Sequence, residues 1–308
     1  MSDHRLLVSV PGATLRNALG TPPDGVEVVV WNLESPPPAA YIDLVVPPYM
    51  GGSARLAALT AVTTRLVQSQ SIGYDDVLDA LPPGHVFANA ASVHEASTAE
   101  LALALVLAAQ RGIPEFVRAA IDGRWAPARY ESLADRRVLL LGYGGVGRAI
   151  EARLAPFEVD LVRIASRARD DATGHVHGID ELPKLLPSAD IVIVGVPLSA
   201  ATTGLVDDAF LAAMPDGALL VNVARGKVAD TDAILAEATS GRLRFALDVT
   251  DPEPLPAGHP LFARPNVLIT PHVGGASTAM MPRMARLLRQ QIERMLRGDE
   301  PVNVVLRS

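Results

Sequence analysis

Short aliphatic runs alternate with alanine-rich helical stretches along nearly the whole chain, and this alternation limits the fold most strongly. A first series of runs lies at residues 6–10, 26–31, 42–46, 65–69 and 86–89. A second series lies at residues 137–141, 159–164, 190–194, 218–222, 243–249 and 267–270. Strands separated by helical segments form βαβ units with parallel sheets. The pattern therefore predicts an α/β fold with two doubly wound parallel-sheet lobes.

Two long helical stretches set the expected domain boundaries. Residues 94–111 are apolar nearly all round, which is typical of a buried helix, and they lie between the two series. Residues 277–297 form a last helix after the second series. If this helix crosses back to the first lobe, one domain comprises residues 1–93 and 277–308, and the other residues 94–276.

Composition excludes several classes of protein. The chain of 308 residues has no cysteine, which excludes disulfide scaffolds, thiolate metal sites and cysteine nucleophiles. Its net charge of −7 argues against sequence-independent binding of nucleic acid. No apolar run approaches the roughly 18–20 residues that a membrane helix needs, and the first residues do not resemble a signal peptide. We therefore expect a cytoplasmic protein with no nucleic-acid or membrane partner.

A glycine-rich loop joins a strand to a helix in the second series. The run at 137–141 leads into Gly142-Tyr-Gly144-Gly-Val-Gly147, which has the spacing G-x-G-x-x-G, and an amphipathic helix follows. Gly142 permits a tight turn, Gly144 lets a pyrophosphate approach the backbone, and Gly147 lets the helix pack closely. The hexapeptide alone is typical of many glycine-rich turns. Its place between strand and helix predicts a Rossmann dinucleotide-binding domain.

The end of the next strand bears on which dinucleotide is bound. NAD-binding domains commonly place an acidic residue there, to bind the ribose 2′-hydroxyl. Here the strand ends in Ser166 and Arg167, with Arg169 close behind, whereas Asp160 comes too early and Asp170 and Asp171 too late. Guanidinium groups suit a 2′-phosphate, so NADP(H) is favoured and NAD(H) stays possible. The alternative is that these arginines are ordinary solvated charges.

Three chemically active side chains follow neighbouring strands of the second series. Arg225 follows the run at 218–222, Glu253 the run at 243–249, and His272 the run at 267–270. Ligands of open α/β sheets bind at this edge. His272 could exchange the alcohol proton during hydride transfer, with Glu253 orienting its ring and Arg225 binding a substrate carboxylate.

Each of these residues alone also has an ordinary structural interpretation, as a strand terminator, a solvated carboxylate or a turn arginine. Their coincidence at adjacent strand ends favours a catalytic site. We expect no metal site, because no spacing such as H-E-x-x-H is present, and we interpret the remaining histidines as surface or structural residues. Asp248 is a candidate to accept a hydrogen bond from the nicotinamide carboxamide.

The order of several stretches resembles the D-isomer-specific 2-hydroxyacid dehydrogenase family, from about residue 65 to the end. The matching stretches are Gly73-Tyr-Asp75, Ala99-Glu100-Leu101, the glycine loop, Gly195-Val-Pro197-Leu198, Thr203-Gly204-Leu205-Val206, residues 214–226, Ala246-Leu-Asp248-Val, Glu253-Pro-Leu-Pro, Thr270-Pro-His272 and residues 298–304. The resemblance implies a Rossmann cofactor domain with a smaller flavodoxin-like substrate domain, and a homodimer. It points to the glyoxylate/hydroxypyruvate reductase branch that prefers NADP.

The resemblance also assigns roles to individual residues. It makes His272 the acid/base, Glu253 its partner and Arg225 the ligand of the substrate carboxylate, and it adds backbone N–H groups near Ile72 and Gly73 as further substrate ligands. On the cofactor side it implies Gly145, Val146, Val196, Pro197, Thr203, Val223, Ala224, Asp248, Gly274 and Gly275. Many members of the family have Asp where Ser166 and Arg167 stand, which puts NAD in doubt.

Two rival functions remain open from the sequence. A dinucleotide-sensing binding protein could use the same scaffold, although it would not need all of Arg225, Glu253 and His272. A methyltransferase could place S-adenosylmethionine at the glycine loop. The expected function is hydride transfer between NAD(P)H and a small 2-oxo or 2-hydroxy acid, such as glyoxylate or hydroxypyruvate.

Overall fold

A computed structural model describes residues 5–308. Its strands, in chain order, are β1 (Leu6–Val10), β2 (Val26–Val30), β3 (Tyr41–Val45), β4 (Thr63–Gln68), β5 (Val86–Ala88), β6 (Arg137–Leu141), β7 (Asp160–Ala165), β8 (Arg169–Asp171), β9 (Gly174–Gly178), β10 (Ile191–Val194), β11 (Leu219–Asn222), β12 (Arg244–Leu247), β13 (Val267–Ile269) and β14 (Val304–Arg307). The α-helices are α1 (Ala13–Leu19), α2 (Glu95–Gln110), α3 (Ile113–Ile121), α4 (Gly145–Leu154), α5 (Leu182–Leu185), α6 (Asp208–Ala213), α7 (Thr231–Ser240) and α8 (Met280–Arg297).

The chain divides into two compact units. One comprises Met1–His94 with Thr278–Ser308, and the other Glu95–Ser277. The first unit therefore takes residues from both ends of the chain, and α8 packs on α1 within it. No helix among residues 5–308 is long and apolar enough to cross a membrane.

The first unit contains a six-stranded sheet in the order β14-β5-β4-β3-β1-β2. The order β2-β1-β3-β4-β5 is that of a flavodoxin-like doubly wound sheet, which confirms the predicted fold of this lobe. One face is covered by α1 and α8, with Val8, Leu15 and Leu288 in its core. The other face packs against the 3₁₀ helix Ser53–Ala61.

The second unit contains an eight-stranded sheet in the order β13-β12-β11-β10-β6-β7-β9-β8. The order reverses between β6 and β10, as in the Rossmann fold, so the prediction of that fold is also confirmed. Strand residues alternate between two buried faces. In β6, Leu139 and Leu141 face one core, and Val138 and Leu140 face the core that α2 and α4 cover.

Two edge strands depart from the predicted parallel arrangement. β14 pairs antiparallel with β5, and β8 pairs antiparallel with β9. Neither β8, β9 nor β14 was predicted as a strand, since each is short and polar or lies at a chain end. The final helix begins at Met280 rather than at residue 277, because the segment before it forms turns.

Candidate active site

The glycine loop after β6 combines two packed glycines with one open glycine. Gly142 has φ +107°, and a Cβ there would lie 2.6 Å from the carbonyl carbon of Gly195. A Cβ on Gly147 would overlap the carbonyl oxygen of Gly142. At Gly144, by contrast, a Cβ would meet nothing within 4 Å. The backbone at Gly144 is therefore open to a ligand, whereas Gly142 and Gly147 allow the turn to pack closely against other backbone.

The open glycine lies at the start of a regular helix. Gly144 is the N-cap residue of α4, with extended φ of −97°, and Gly145, Val146 and Gly147 form the first helical turn. N–H groups in a first turn have no intrahelical acceptor, and the helix dipole adds partial positive charge. This open, positively polarised backbone fits the pyrophosphate of a dinucleotide.

The end of β7 carries positive charge and no free carboxylate. Ser166 and Arg167 are exposed directly after the strand. The guanidinium carbons of Arg148 and Arg169 lie 5.7 and 5.8 Å from the centre of the Tyr143 ring, inside the glycine loop. Three arginines, Arg148, Arg167 and Arg169, therefore belong to the glycine loop helix or follow the end of β7.

The two carboxylates that follow Ser166 have other partners. Asp170 Oδ1 lies 2.8 Å from His175 Nδ1. Asp171 Oδ1 accepts hydrogen bonds from the Thr173 hydroxyl and backbone N–H, at 2.6 and 2.9 Å. These bonds lower the pKa of Asp171, and the nearby Arg163 guanidinium adds to the effect. Both carboxylates therefore have partners within the β8–β9 hairpin.

Glu253 and His272 are in direct contact. Glu253 Oε1 lies 2.6 Å from His272 Nδ1, and both side chains are about one-third exposed. An ionised carboxylate can only accept a hydrogen bond, so Nδ1 carries the proton and Nε2 points to the other side of the ring. His272 has φ +52°, an uncommon backbone conformation that concentrates at functional sites. The pair has the arrangement of a histidine acid/base with an orienting carboxylate.

Asp248 holds the segment that carries His272. Its carboxylate is 3% exposed and accepts hydrogen bonds from the Thr270 hydroxyl at 2.6 Å and from the N–H groups of Val273 and Gly274, both at 2.9 Å. The backbone N–H of His272 also donates to the Asp248 carbonyl oxygen at 2.8 Å. Four bonds from one residue thus fix residues 270–274, a positioning role that the sequence did not reveal.

A second buried polar residue, Asn222, shapes the turn of Arg225. The Asn222 side chain is 1% exposed; it accepts from the N–H of Ala224 at 3.0 Å and donates to the carbonyl oxygen of Arg225 at 3.1 Å. A Cβ on Gly226 would overlap the carbonyl oxygen of Thr250, so the turn packs directly on the segment after β12. Sequence reasoning gave Asn222 no role, because a side chain bonded to its own turn has no distinctive spacing.

The remaining candidates on the cofactor side lie at the ends of β10 and β11 and in the turn after β13. Val223 and Ala224 are at least 92% buried, so they can offer backbone groups but little side-chain surface. Thr203 is exposed, and its hydroxyl donates to the Ser199 carbonyl oxygen at 2.8 Å. Val196 packs partly against the core, whereas Pro197 is exposed. Gly274 is buried and bound to Asp248, with Gly275 directly after it.

The predicted substrate ligands Ile72 and Gly73 belong to the first unit. The Ile72 carbonyl oxygen accepts a hydrogen bond from the Asn89 side chain at 2.8 Å, which fixes this turn. Within residues 5–308, no acceptor binds the N–H groups of Ile72 or Gly73. Both groups are therefore available to an anionic ligand.

Comparisons with known proteins identify chains that are similar to this one. Residues 103–274 match the model of the D-isomer specific 2-hydroxyacid dehydrogenase, NAD binding domain. A glyoxylate reductase of Korarchaeum cryptofilum is 32% identical over 252 residues, covering 78% of this chain and 76% of the relative. The human glyoxylate reductase/hydroxypyruvate reductase is 29% identical over 291 residues, covering 89% of each chain. A D-isomer specific 2-hydroxyacid dehydrogenase from Xanthobacter autotrophicus Py2, solved with NADPH and MES, is 28% identical, with a TM-score of 0.79 over 99% of this chain and 98% of that one.

Proposed function

The chain belongs to the D-isomer specific 2-hydroxyacid dehydrogenase family, and on this basis we propose that it reduces small 2-oxo acids with NADPH. As a member of that family it is an oxidoreductase that transfers hydride with a nicotinamide dinucleotide, on a small 2-oxo acid. The observation that carries the proposal is the 2.6 Å contact between His272 Nδ1 and Glu253 Oε1 at the strand ends of a Rossmann unit.

The residues of this chain have separate roles in the proposed reaction. When bound, the nicotinamide supplies the hydride. Glu253 keeps the His272 ring oriented, so that Nε2 gives a proton to the carbonyl oxygen of the substrate as it becomes an alcohol. Asp248 holds the His272 turn through three carboxylate hydrogen bonds. Arg225 binds the substrate carboxylate. The N–H groups of Ile72 and Gly73 stay a predicted anion-binding pair of the first unit.

The preference for NADP(H) is supported by charge at the end of β7. Ser166 and Arg167 replace an acidic residue there, and Arg148 and Arg169 flank the Tyr143 ring. A ribose 2′-phosphate carries close to two negative charges and forms bidentate bonds with guanidinium groups. NAD(H) lacks this phosphate and cannot form those bonds.

A panel of 2-oxo acids tests the function directly. Oxidation of NADPH and of NADH is followed with glyoxylate, hydroxypyruvate, pyruvate and longer 2-oxo acids. We expect turnover with glyoxylate or hydroxypyruvate, and at least about a tenfold higher kcat/KM for NADPH than for NADH. Dinucleotide binding without turnover on any acid would instead support a dinucleotide sensor, and turnover favouring NADH would overturn the NADP preference.

We further propose a cytoplasmic homodimer. One side of α3 exposes Ile113, Val117 and Ile121 at four-residue spacing, and Trp125, which follows that helix, is 96% exposed. Apolar side chains so placed are typical of a protein interface. Light scattering on the purified chain should give twice the mass of 32.5 kDa, and Ile121→Asp with Trp125→Ala should lower it to one chain.

A further inference from the structure

Two histidines and a carboxylate meet in a part of the second unit that the proposed reaction does not use. In β9, Val176 is wholly buried, whereas His175 is exposed and His177 is partly exposed. Because side chains alternate along a strand, the two imidazoles share the outer face. Glu181 ends the 3₁₀ turn that follows β9. One ligand atom from each of the three residues lies within 4.8 Å of the other two.

We propose that His175, His177 and Glu181 bind a divalent transition-metal ion of the zinc class. Two imidazoles and one carboxylate form the ligand set of open zinc sites, in which water fills the fourth position. Neighbouring ligands of tetrahedral zinc lie about 3.4 Å apart, so the three ligand atoms, now within 4.8 Å of one another, would move closer together when the ion binds. Imidazole nitrogen favours zinc, nickel and copper over the oxygen-preferring magnesium and calcium.

Neighbouring groups already orient the proposed ligands. Asp170 lies directly opposite His175 in the antiparallel pair of β8 and β9, and its Oδ1 is 2.8 Å from His175 Nδ1. A carboxylate bonded to one nitrogen of a histidine orients the other nitrogen towards a metal, and such partners raise metal affinity. His175 therefore presents Nε2 as its ligand atom.

The carboxylate ligand is also held in place. Glu181 Oε1 accepts a hydrogen bond from the Gly178 N–H at 2.9 Å, while Oε2 lies 2.9 Å from His177 Nδ1. If Glu181 Oε2 and His177 Nδ1 moved apart by about half an ångström, both atoms could bind the same ion. The ion would then tie β9 to the turn after it.

The expectation of no metal site rested on helical spacing such as H-E-x-x-H. The present arrangement instead uses His-x-His on a strand, with a carboxylate four residues after the second histidine in a 3₁₀ turn. Its three ligands come together only because the strand alternates and the turn folds back. The sequence spacing alone could not indicate this proximity.

Calorimetric titration of the full-length, chelator-treated protein with zinc chloride tests the proposal, together with thermal unfolding with and without zinc. The variants are His175→Gln and Glu181→Gln, and Asp180→Asn is the matched control because it removes a neighbouring charge outside the cluster. We expect one zinc per chain, a higher Tm with zinc, and about a tenfold or greater loss of affinity in both ligand variants. Asp180→Asn should bind within about twofold of the parent protein.

Two results would overturn the assignment. One is a zinc affinity of the parent protein that is no higher than that of the double variant His175→Gln/His177→Gln. The other is an equal loss of affinity in Asp180→Asn and Glu181→Gln. Circular dichroism and Tm without zinc establish that each variant is folded. If Glu181→Gln unfolds because it loses the bond to Gly178, the zinc affinity of His175→Gln, a change at an exposed residue, tests the assignment alone.

Discussion

Glu253 Oε1 lies 2.6 Å from His272 Nδ1, and this contact fixes the orientation of the imidazole ring. In the proposed reaction Glu253 acts only through His272, so its loss should lower kcat more than it raises KM for the 2-oxo acid. For Glu253→Gln we expect kcat to fall about 10- to 1000-fold.

Steady-state kinetics of Glu253→Gln are compared with those of Asp251→Asn, a neighbouring exposed carboxylate that does not contact the ring. The control should keep its activity. A Glu253→Gln enzyme with kcat within about twofold of the parent would show that the carboxylate does not position the catalytic histidine.

Substitutions in the glycine loop should affect folding at one position and cofactor binding at another. Gly144→Ala adds a methyl group to open space, so we expect little change in Tm but weaker binding of NADPH by about tenfold. Gly147→Ala places a methyl group against the carbonyl oxygen of Gly142, so we expect a lower Tm. Gly12→Ala, in the first unit with equally open surroundings, is the control for both readouts. Unchanged NADPH binding in Gly144→Ala would show that the pyrophosphate does not bind at this loop.

Charge at the end of β7 should set the choice of dinucleotide. Arg167→Ala removes a guanidinium group that we expect to bond the 2′-phosphate, and charge-assisted bonds contribute about 1.5–3 kcal/mol. We therefore expect KM for NADPH to rise about 10- to 100-fold with little change for NADH. Arg16→Ala, an exposed arginine in the first unit, is the matched control. Equal effects on the two dinucleotides would show that Arg167 does not recognise the phosphate.

Both sheets could be predicted because short aliphatic runs alternate with helical stretches along the chain. The antiparallel edges could not, since Arg169–Asp171 has no apolar alternation and β14 pairs with β5, more than 200 residues earlier. Glu253 and His272 could be placed together because β12 and β13 are parallel neighbours. The bonds of Asp248 to two backbone N–H groups could not, because backbone donors leave no trace in the sequence. A contact of Asp248 with the nicotinamide stays a prediction.

His85 should make the first unit less stable in mild acid. Its imidazole is 4% exposed, with Nδ1 2.8 Å from the Thr64 hydroxyl and Nε2 3.2 Å from the Leu59 carbonyl oxygen. Burial lowers the pKa of His85 below its ordinary value of 6.5. In the unfolded chain, His85 binds a proton near pH 6.5, whereas in the folded chain it stays neutral until a lower pH. The free energy of unfolding therefore falls as the pH decreases from about 6.5 towards the pKa of His85 in the folded chain.

Denaturant unfolding between pH 7.5 and 5.5 measures this loss, which reaches at most about 1.4 kcal/mol per pH unit. His85→Asn should be less stable at neutral pH but should show a shallower dependence on pH. His259→Asn, a half-buried histidine in the second unit, should keep the slope of the parent. Identical slopes in the parent and His85→Asn would contradict the prediction.

In the proposed reaction, His272 transfers the proton while NADPH reduces a 2-oxo acid. The most direct measurement is single-turnover oxidation of enzyme-bound NADPH by glyoxylate or hydroxypyruvate, in the parent protein and in His272→Gln. We predict that His272→Gln stays folded, binds NADPH within about twofold, and oxidises it about 10²- to 10⁴-fold more slowly. A folded His272→Gln protein that oxidises bound NADPH at the parent rate would contradict the account.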